Sequence, residues 1–262
     1  MSILSLRDVR VSLDREIVHG VTFDLEPGGV VGIVGESGSG KTLTCRAALG
    51  ILPEGFTVSG GSISLDGHDV ASLSSKQWTA LRGSTISAVF QDPASYLNPS
   101  LTIGSQIAEV AQVKLGLRRR ALKARTLQLL DAVRLSSAVH GQYPHELSGG
   151  MLQRALIATA IAAEPKILIA DEATTALDVT VQAEILDLLA ELRESTGLAL
   201  VVVSHDLAVV AQVCDEVLVM RAGEVVEQGP VEKILYRPDH EYTRLLIEEH
   251  ESYGLERYLV TP

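Results

Sequence analysis

Val30–Thr42 reads VVGIVGESGSGKT. Its first half is a continuous apolar run, the mark of a strand buried on both faces. Its second half, Gly35–Thr42, fits the pattern G-x-x-x-x-G-K-[ST]. A helix-like stretch, TLTCRAALGIL, runs on from Thr42. A strand before and a helix after are what separate a phosphate cradle from a glycine-rich turn. In such a cradle the glycines let backbone N–H groups turn inward and surround phosphate oxygens, and Gly35, Glu36, Ser37, Gly38, Ser39 and Gly40 are the candidate binding residues. Lys41 reaches the β- and γ-phosphates, and the Thr42 hydroxyl coordinates Mg²⁺. The helix that follows points its positive end at the same place.

Outward from this stretch, the chain alternates strands and helices, which implies an α/β sheet. Residues 3–13 alternate as a half-buried strand, and VTFDLEPG from Val21 reads as a second strand ending in a turn. SISLDGHDV predicts a hairpin at Asp66-Gly67, and TISAVFQD a buried strand ending near Gln91. From about residue 95 to 163 the strand signal vanishes and helical stretches such as ALKARTLQLLDAV take over. After Pro165 buried strands return in KILIAD and LALVVVSHD. Between them Val181, Ile185, Leu188, Leu189 and Leu192 share a helix face, with Asp178 as N-cap and Gly197 as stop. EVLVMRAGEVVEQG predicts a hairpin at Ala222-Gly223, followed by a helical tail.

Composition narrows the function. The 262 residues carry a net charge of −11, the opposite of a nucleic-acid footprint. The basic triplet Arg118-Arg119-Arg120 reads as a solvated helix face. Two cysteines, Cys45 and Cys214, stand far apart and fit a reducing compartment. The start, MSILSLRDVR, carries charges where a secretory signal needs an apolar core, and no apolar run approaches the ~18 residues of a membrane span.

Three strand ends carry polar groups suited to phosphate hydrolysis. KILIADE closes on Asp171, placed to hold Mg²⁺, and Glu172, placed to polarise water as general base. Solvated acids at a strand end are the ordinary reading of such a pair; the phosphate loop shifts the balance. His205 after LVVVS can sense a γ-phosphate, and Gln91 can bond to Mg²⁺ or water. A further stretch, ELSGGMLQR, opens a helix with Ser148, Gly149, Gly150 and Met151, a second anion-seeking helix end. One phosphate loop and two such ends can serve one nucleotide only across an interface.

In this order of motifs the chain resembles the ATP-binding subunits of ABC transporters: phosphate loop at 35–42, Gln91, LSGGM at 147–151, ILIADE at 167–172, TALD at 175–178 and His205. The resemblance covers essentially the whole chain. It implies a P-loop NTPase core with an antiparallel β subdomain and a helical insertion: residues 1–92 with 164–230 as nucleotide-binding core and β subdomain, 93–163 as helical signature subdomain, and 231–262 as C-terminal tail. It also implies ATP and Mg²⁺ as ligands, with Glu172, His205 and Gln91 catalytic and Thr42, Gln91 and Asp171 on the metal. Each nucleotide would lie between residues 35–42 of one subunit and Ser148–Met151 with Asp178 of another.

The implied partners are a second ATPase subunit, by family a paralogue, two membrane permeases and an extracellular solute-binding protein, with the chain peripheral on the cytoplasmic face and no nucleic acid bound. VFQDPASYLNPSLTIGSQIAE, Met151 and the tail EQGPVEKILYRPDHEYTRLL look like the peptide and nickel importer branch. IVHGVTFDL and TLTCRAALGILPEG lean toward its nickel-import subunits. A soluble ABC ATPase acting on nucleic acid or the ribosome, and a non-hydrolysing interaction module, are the competing readings. The single acidic cassette opposes the former, and intact Lys41, Asp171, Glu172 and His205 oppose the latter.

Departures from the family pattern stand out as well. Val9–Arg15 holds no aromatic residue to stack on adenine; Leu13 falls near that place, and Phe23 reads as core. Ala173 replaces the usual proline after Glu172. No cysteine follows Cys214, so no iron–sulfur centre is expected, and His145 reads as a structural loop residue.

Overall fold

The computed structural model describes residues 1–173 and 178–251. In chain order the elements are β1 (Leu4–Ser12), β2 (Glu16–Leu25), β3 (Val30–Val34), α1 (Lys41–Ala48), β4 (Thr57–Leu65), β5 (His68–Asp69), α2 (Ser75–Leu81), β6 (Ile86–Val89), α3 (Ile103–Leu115) and α4 (Arg119–Ala132). They continue with α5 (Gly149–Ala160), β7 (Ile167–Asp171), α6 (Val179–Thr196), β8 (Ala199–Ser204), α7 (Leu207–Val213), β9 (Glu216–Arg221), β10 (Glu224–Pro230), α8 (Val231–Tyr236) and α9 (Glu241–Glu251). The chain divides into two compact units, Met1–Trp78 with Ala199–Pro262, and Thr79–Leu198.

The first unit holds an antiparallel sheet in the order β2-β1-β4-β5 and the strand series β10-β9-β3-β8. β3 lies parallel to both β8 and β9, and all five of its residues are buried. That burial is the continuous apolar run made structural: with both faces covered, no polar alternation is possible. The predicted hairpins form where expected. Asp66 and Gly67 both take positive φ, as do Ala222 and Gly223, which suits two-residue turns between antiparallel strands. Helix α1 is shorter than its apolar stretch suggests. Gly50, at φ 62°, donates its N–H to the Ala47 carbonyl at 3.1 Å, and Ile51 donates to the Arg46 carbonyl at 3.0 Å, closing the helix on a left-handed glycine. The Trp78 ring lies 2.5 Å from where a Gly50 Cβ would stand, so no larger residue fits.

In the second unit β6 and β7 pair in parallel, and α3, α4 and α5 form the helical stretch. Strand β6 ends at Val89, two residues short of the predicted end, so Gln91 stands beyond the strand in a bend. Helix α6 starts and stops as read: the Asp178 carboxylate accepts the Val181 N–H at 3.0 Å, and Gly197 takes φ 72°. Ile185, Leu188, Leu189 and Leu192 are buried, and Val181 is half-buried. Among the described residues, no helix is long and apolar enough to cross a membrane.

Candidate functional site

In the first unit the loop Gly35–Gly40 leaves buried β3 and turns into α1. Gly35 has φ 152°, and a Cβ there would stand 2.0 Å from the Met220 carbonyl oxygen, so the position admits glycine alone. Gly40, at φ 98°, begins α1, where a Cβ would press on Val18 and Met220. Lys41 is buried, with its ammonium donating to the carbonyls of Gly35 at 2.7 Å and Glu36 at 2.9 Å. These bonds fold the loop around the lysine. The hairpin between β9 and β10 braces the loop through the Gly223 N–H, which donates to the Ser39 carbonyl at 3.1 Å.

One polar atom in the loop stands out. The Ser39 hydroxyl is buried and has no hydrogen-bond partner among the described residues. It lies on the Met220 side of the loop, where a Gly35 Cβ would stand 2.9 Å from it and 2.0 Å from the Met220 carbonyl oxygen. The α1 N-terminus, the loop glycines and Lys41 are the groups whose chemistry suits a phosphate. His205, also in this unit, follows β8 and is exposed, and the neighbouring Asp206 N–H donates to the Ser204 hydroxyl at 2.9 Å. Leu13 is exposed, while Phe23 is buried in the core.

The second unit carries the remaining motifs. Asp171 ends β7 and is buried. Glu172, half-buried, takes φ 50°, a left-handed conformation that is uncommon for a glutamate and marks a position held by its surroundings. Ala173, in the place usual for proline, is buried. Gln91 is exposed, and Asp92 beside it has φ 62°. Ser148 caps α5, its hydroxyl accepting the Met151 N–H at 3.4 Å, so Gly149 and Gly150 form the first turn. A Cβ on Gly150 would lie 2.8 Å from a Val181 methyl. The second glycine of SGG is therefore required because the helix that Asp178 caps packs against it. Thr174–Leu177, most of the TALD segment, lies outside the described residues.

Two structural devices went unread in the sequence. Gln106 is buried; it accepts the Asn98 N–H at 2.8 Å and donates to the carbonyls of Asn98 and Leu101, both at 3.1 Å. It thus staples the segment after Gln91. Arg154 is buried and binds the Val133 carbonyl at 3.2 Å and Glu184 at 2.7 Å, tying α5 to α6. Nothing in spacing distinguishes such residues from exposed helix polar groups. His145 stacks on Tyr143 with centroids 5.6 Å apart, in keeping with a structural loop role.

Comparison with known proteins decides the family. The profile described as "ABC transporter" matches residues 18–175. The chain belongs to the ABC transporter family. This ABC ATPase is 44% identical over 247 residues to the oligopeptide transport ATP-binding protein of Haemophilus influenzae, covering 93% of the chain and 76% of that protein. It is 45% identical over 238 residues to the dipeptide transport ATP-binding protein of Lactococcus lactis, covering 90% and 68%. Among solved structures, the ABC ATPase resembles cbiO1 of Clostridium perfringens, part of the ABC transporter complex cbiONQ, with a TM-score of 0.81, 28% identity and coverage of 98% and 96%. It also resembles the cassette MJ0796, solved as a dimer in a post-hydrolysis state bound to ADP and Pi, with a TM-score of 0.77, 27% identity and coverage of 87% and 98%.

For Mg²⁺ the chemistry of the available donors fits. A threonine hydroxyl, a glutamine carbonyl and a carboxylate are hard oxygen ligands, of the kind that Mg²⁺ takes in small number alongside substrate phosphates. Among the described residues no cluster of three or more His, Cys, Asp or Glu could hold a metal by itself.

Proposed function

We propose that this chain is the ATP-hydrolysing subunit of a peptide importer, working through partner membrane permeases. The observation that carries the reading is the phosphate loop itself, Gly35–Gly40 folded around buried Lys41 at the start of α1. Its activity is ATP hydrolysis coupled to transport. Residues 35–42 hold the triphosphate, and Thr42, Gln91 and Asp171 hold Mg²⁺, which when bound neutralises phosphate charge. Glu172 takes the proton of the attacking water, and His205 orients the γ-phosphate. Ser148, Gly149, Gly150, Met151 and Asp178 complete the site on the nucleotide of a second subunit.

Residues 1–92 with 164–230 act as the nucleotide core, 93–163 as the signature subdomain and 231–262 as the tail. The permeases dock a cytoplasmic helix beside residues 92–110, the segment that Gln106 staples. The second ATPase is a paralogue, and an extracellular binding protein delivers the cargo. The chain then sits peripherally on the cytoplasmic face. The relatives named above are oligopeptide and dipeptide transport ATP-binding proteins, which supports peptide cargo over the nickel leaning of the sequence.

Glu172→Gln is the test. The variant is expected to bind ATP as the parent does and to release phosphate about 10²- to 10⁴-fold more slowly, the loss of a general base. Phosphate release at the parent rate would remove Glu172 from that role. Labelled-dipeptide uptake by cells carrying the complete transporter checks the cargo.

A further inference from the structure

We infer that Tyr242, on the C-terminal helix α9, is a positioning residue for the phosphate loop and sets how tightly the chain holds nucleotide. The inference rests on the nucleotide reading above. The Tyr242 hydroxyl accepts the backbone N–H of Glu36 at 3.0 Å, a bond between residues 206 apart in sequence. Tyr242 is buried, and the Arg221 guanidinium lies over its ring at 4.8 Å from the centroid. The same guanidinium approaches the Glu36 carboxylate to 3.9 Å. Tyrosine, arginine and loop glutamate therefore form one contact group.

Helix α9 holds this hydroxyl in place rather than letting it wander. Glu227, buried on β10, accepts the N–H of Asp239 at 2.8 Å and of His240 at 3.1 Å, fixing the turn that leads into α9. His240 Nδ1 accepts the Tyr242 N–H at 3.1 Å. Arg244 donates to the carbonyls of Pro238 and Asp239 at 3.1 and 3.2 Å. Farther along, Leu246 and Ile247 are buried, and α9 packs on α7, the helix that follows His205.

Glu36 is thus gripped at both ends of its peptide framework. Its carbonyl receives the Lys41 ammonium at 2.9 Å and the Ser39 N–H at 3.2 Å, while its N–H goes to Tyr242. A bound triphosphate competes for Lys41. The Tyr242 bond does not involve the lysine, so it keeps Glu36 fixed while that competition proceeds. Without it, the exposed run Glu36–Gly38 must be ordered at the moment of binding, and affinity falls by the entropy of that ordering.

The test compares Tyr242→Phe, which keeps the ring and removes the hydroxyl, with the parent and with Lys41→Ala. Titration with a fluorescent ATP analogue carrying an N-methylanthraniloyl group and Mg²⁺ is expected to give a Kd about fivefold higher for Tyr242→Phe, the fold-change of ordering roughly one further loop residue on binding. KM for ATP rises in parallel, and kcat at saturating ATP stays at the parental value. An unchanged Kd, or a fall in kcat or Tm with Kd unchanged, overturns the inference. If the parent binds the analogue no better than Lys41→Ala, the nucleotide reading itself fails, and that result is distinct. Should Tyr242→Phe not fold, amide exchange in the parent decides: a protected Glu36 amide supports the bond, and exchange at the rate of an exposed loop amide overturns it.

Discussion

Lys41 illustrates what a single side chain contributes before any ligand arrives. Its ammonium is buried and donates to two loop carbonyls, so the loop is held in shape by the group proposed to meet the phosphates. Lys41→Ala removes both functions. The expected loss is about 1.5–3 kcal/mol of nucleotide binding, the range for a hydrogen bond to a charged group, or more where the loop also relaxes. Equilibrium titration with labelled ATP measures it. Much of the loop at this scale was legible beforehand: Gly35, Gly40 and Lys41 stand in a pattern that calls for a tight turn between a buried strand and a helix, and that turn forms. The positive φ of Glu172 was not, because nothing in ADE signals a left-handed backbone.

Among the elements, α9 is entered through a turn fixed by one buried carboxylate, Glu227. Burial alone raises the pKa of Glu227, but the N–H donors of Asp239 and His240, with Lys233 nearby, outweigh it, and the net shift is downward from 4.5. A depressed carboxylate stabilises the fold above its unfolded value and loses that contribution as pH falls through the folded one. The α9 anchor is therefore complete at neutral pH and weakens below pH 4.5. Glu227→Gln places an amide NH₂ against a backbone N–H and is expected to destabilise the chain by about 1–2 kcal/mol, the scale of a lost helix cap. Thermal melts as a function of pH check the sign: the gap between parent and variant should close in acid. The element boundaries follow the same logic. Local chemistry ended α6 at Gly197 and began it at Asp178, both readable, whereas the left-handed turn at Gly50 that closes α1 sits against the Trp78 ring, a contact only packing decides.

For the whole molecule, the proposed shared site, one phosphate loop with a second anion-seeking helix end, requires a partner chain. Glu172→Gln saturated with ATP and mixed with the proposed companion ATPase is expected to sediment as a dimer, and adding Ser148→Arg, with the matching change in the companion's own signature serine, should return it to monomers without abolishing nucleotide binding. Analytical ultracentrifugation with and without ATP reads both outcomes. Persistence of monomers in the first mixture would contradict the shared site. What the sequence alone determined is whatever acts within a few residues: the buried strand before Gly35, the cradle glycines, the Ser148 and Asp178 caps, the hairpin turns. Backbone sterics, capping and hydrophobic period operate over that range. The tertiary structure alone decided that Tyr242 meets Glu36, that Val181 closes on Gly150, and that Gln106 staples the loop after Gln91. Such meetings depend on how packed elements bring distant positions together, and a tyrosine or valine on an amphipathic helix has the same pattern whether it faces plain core or a binding loop.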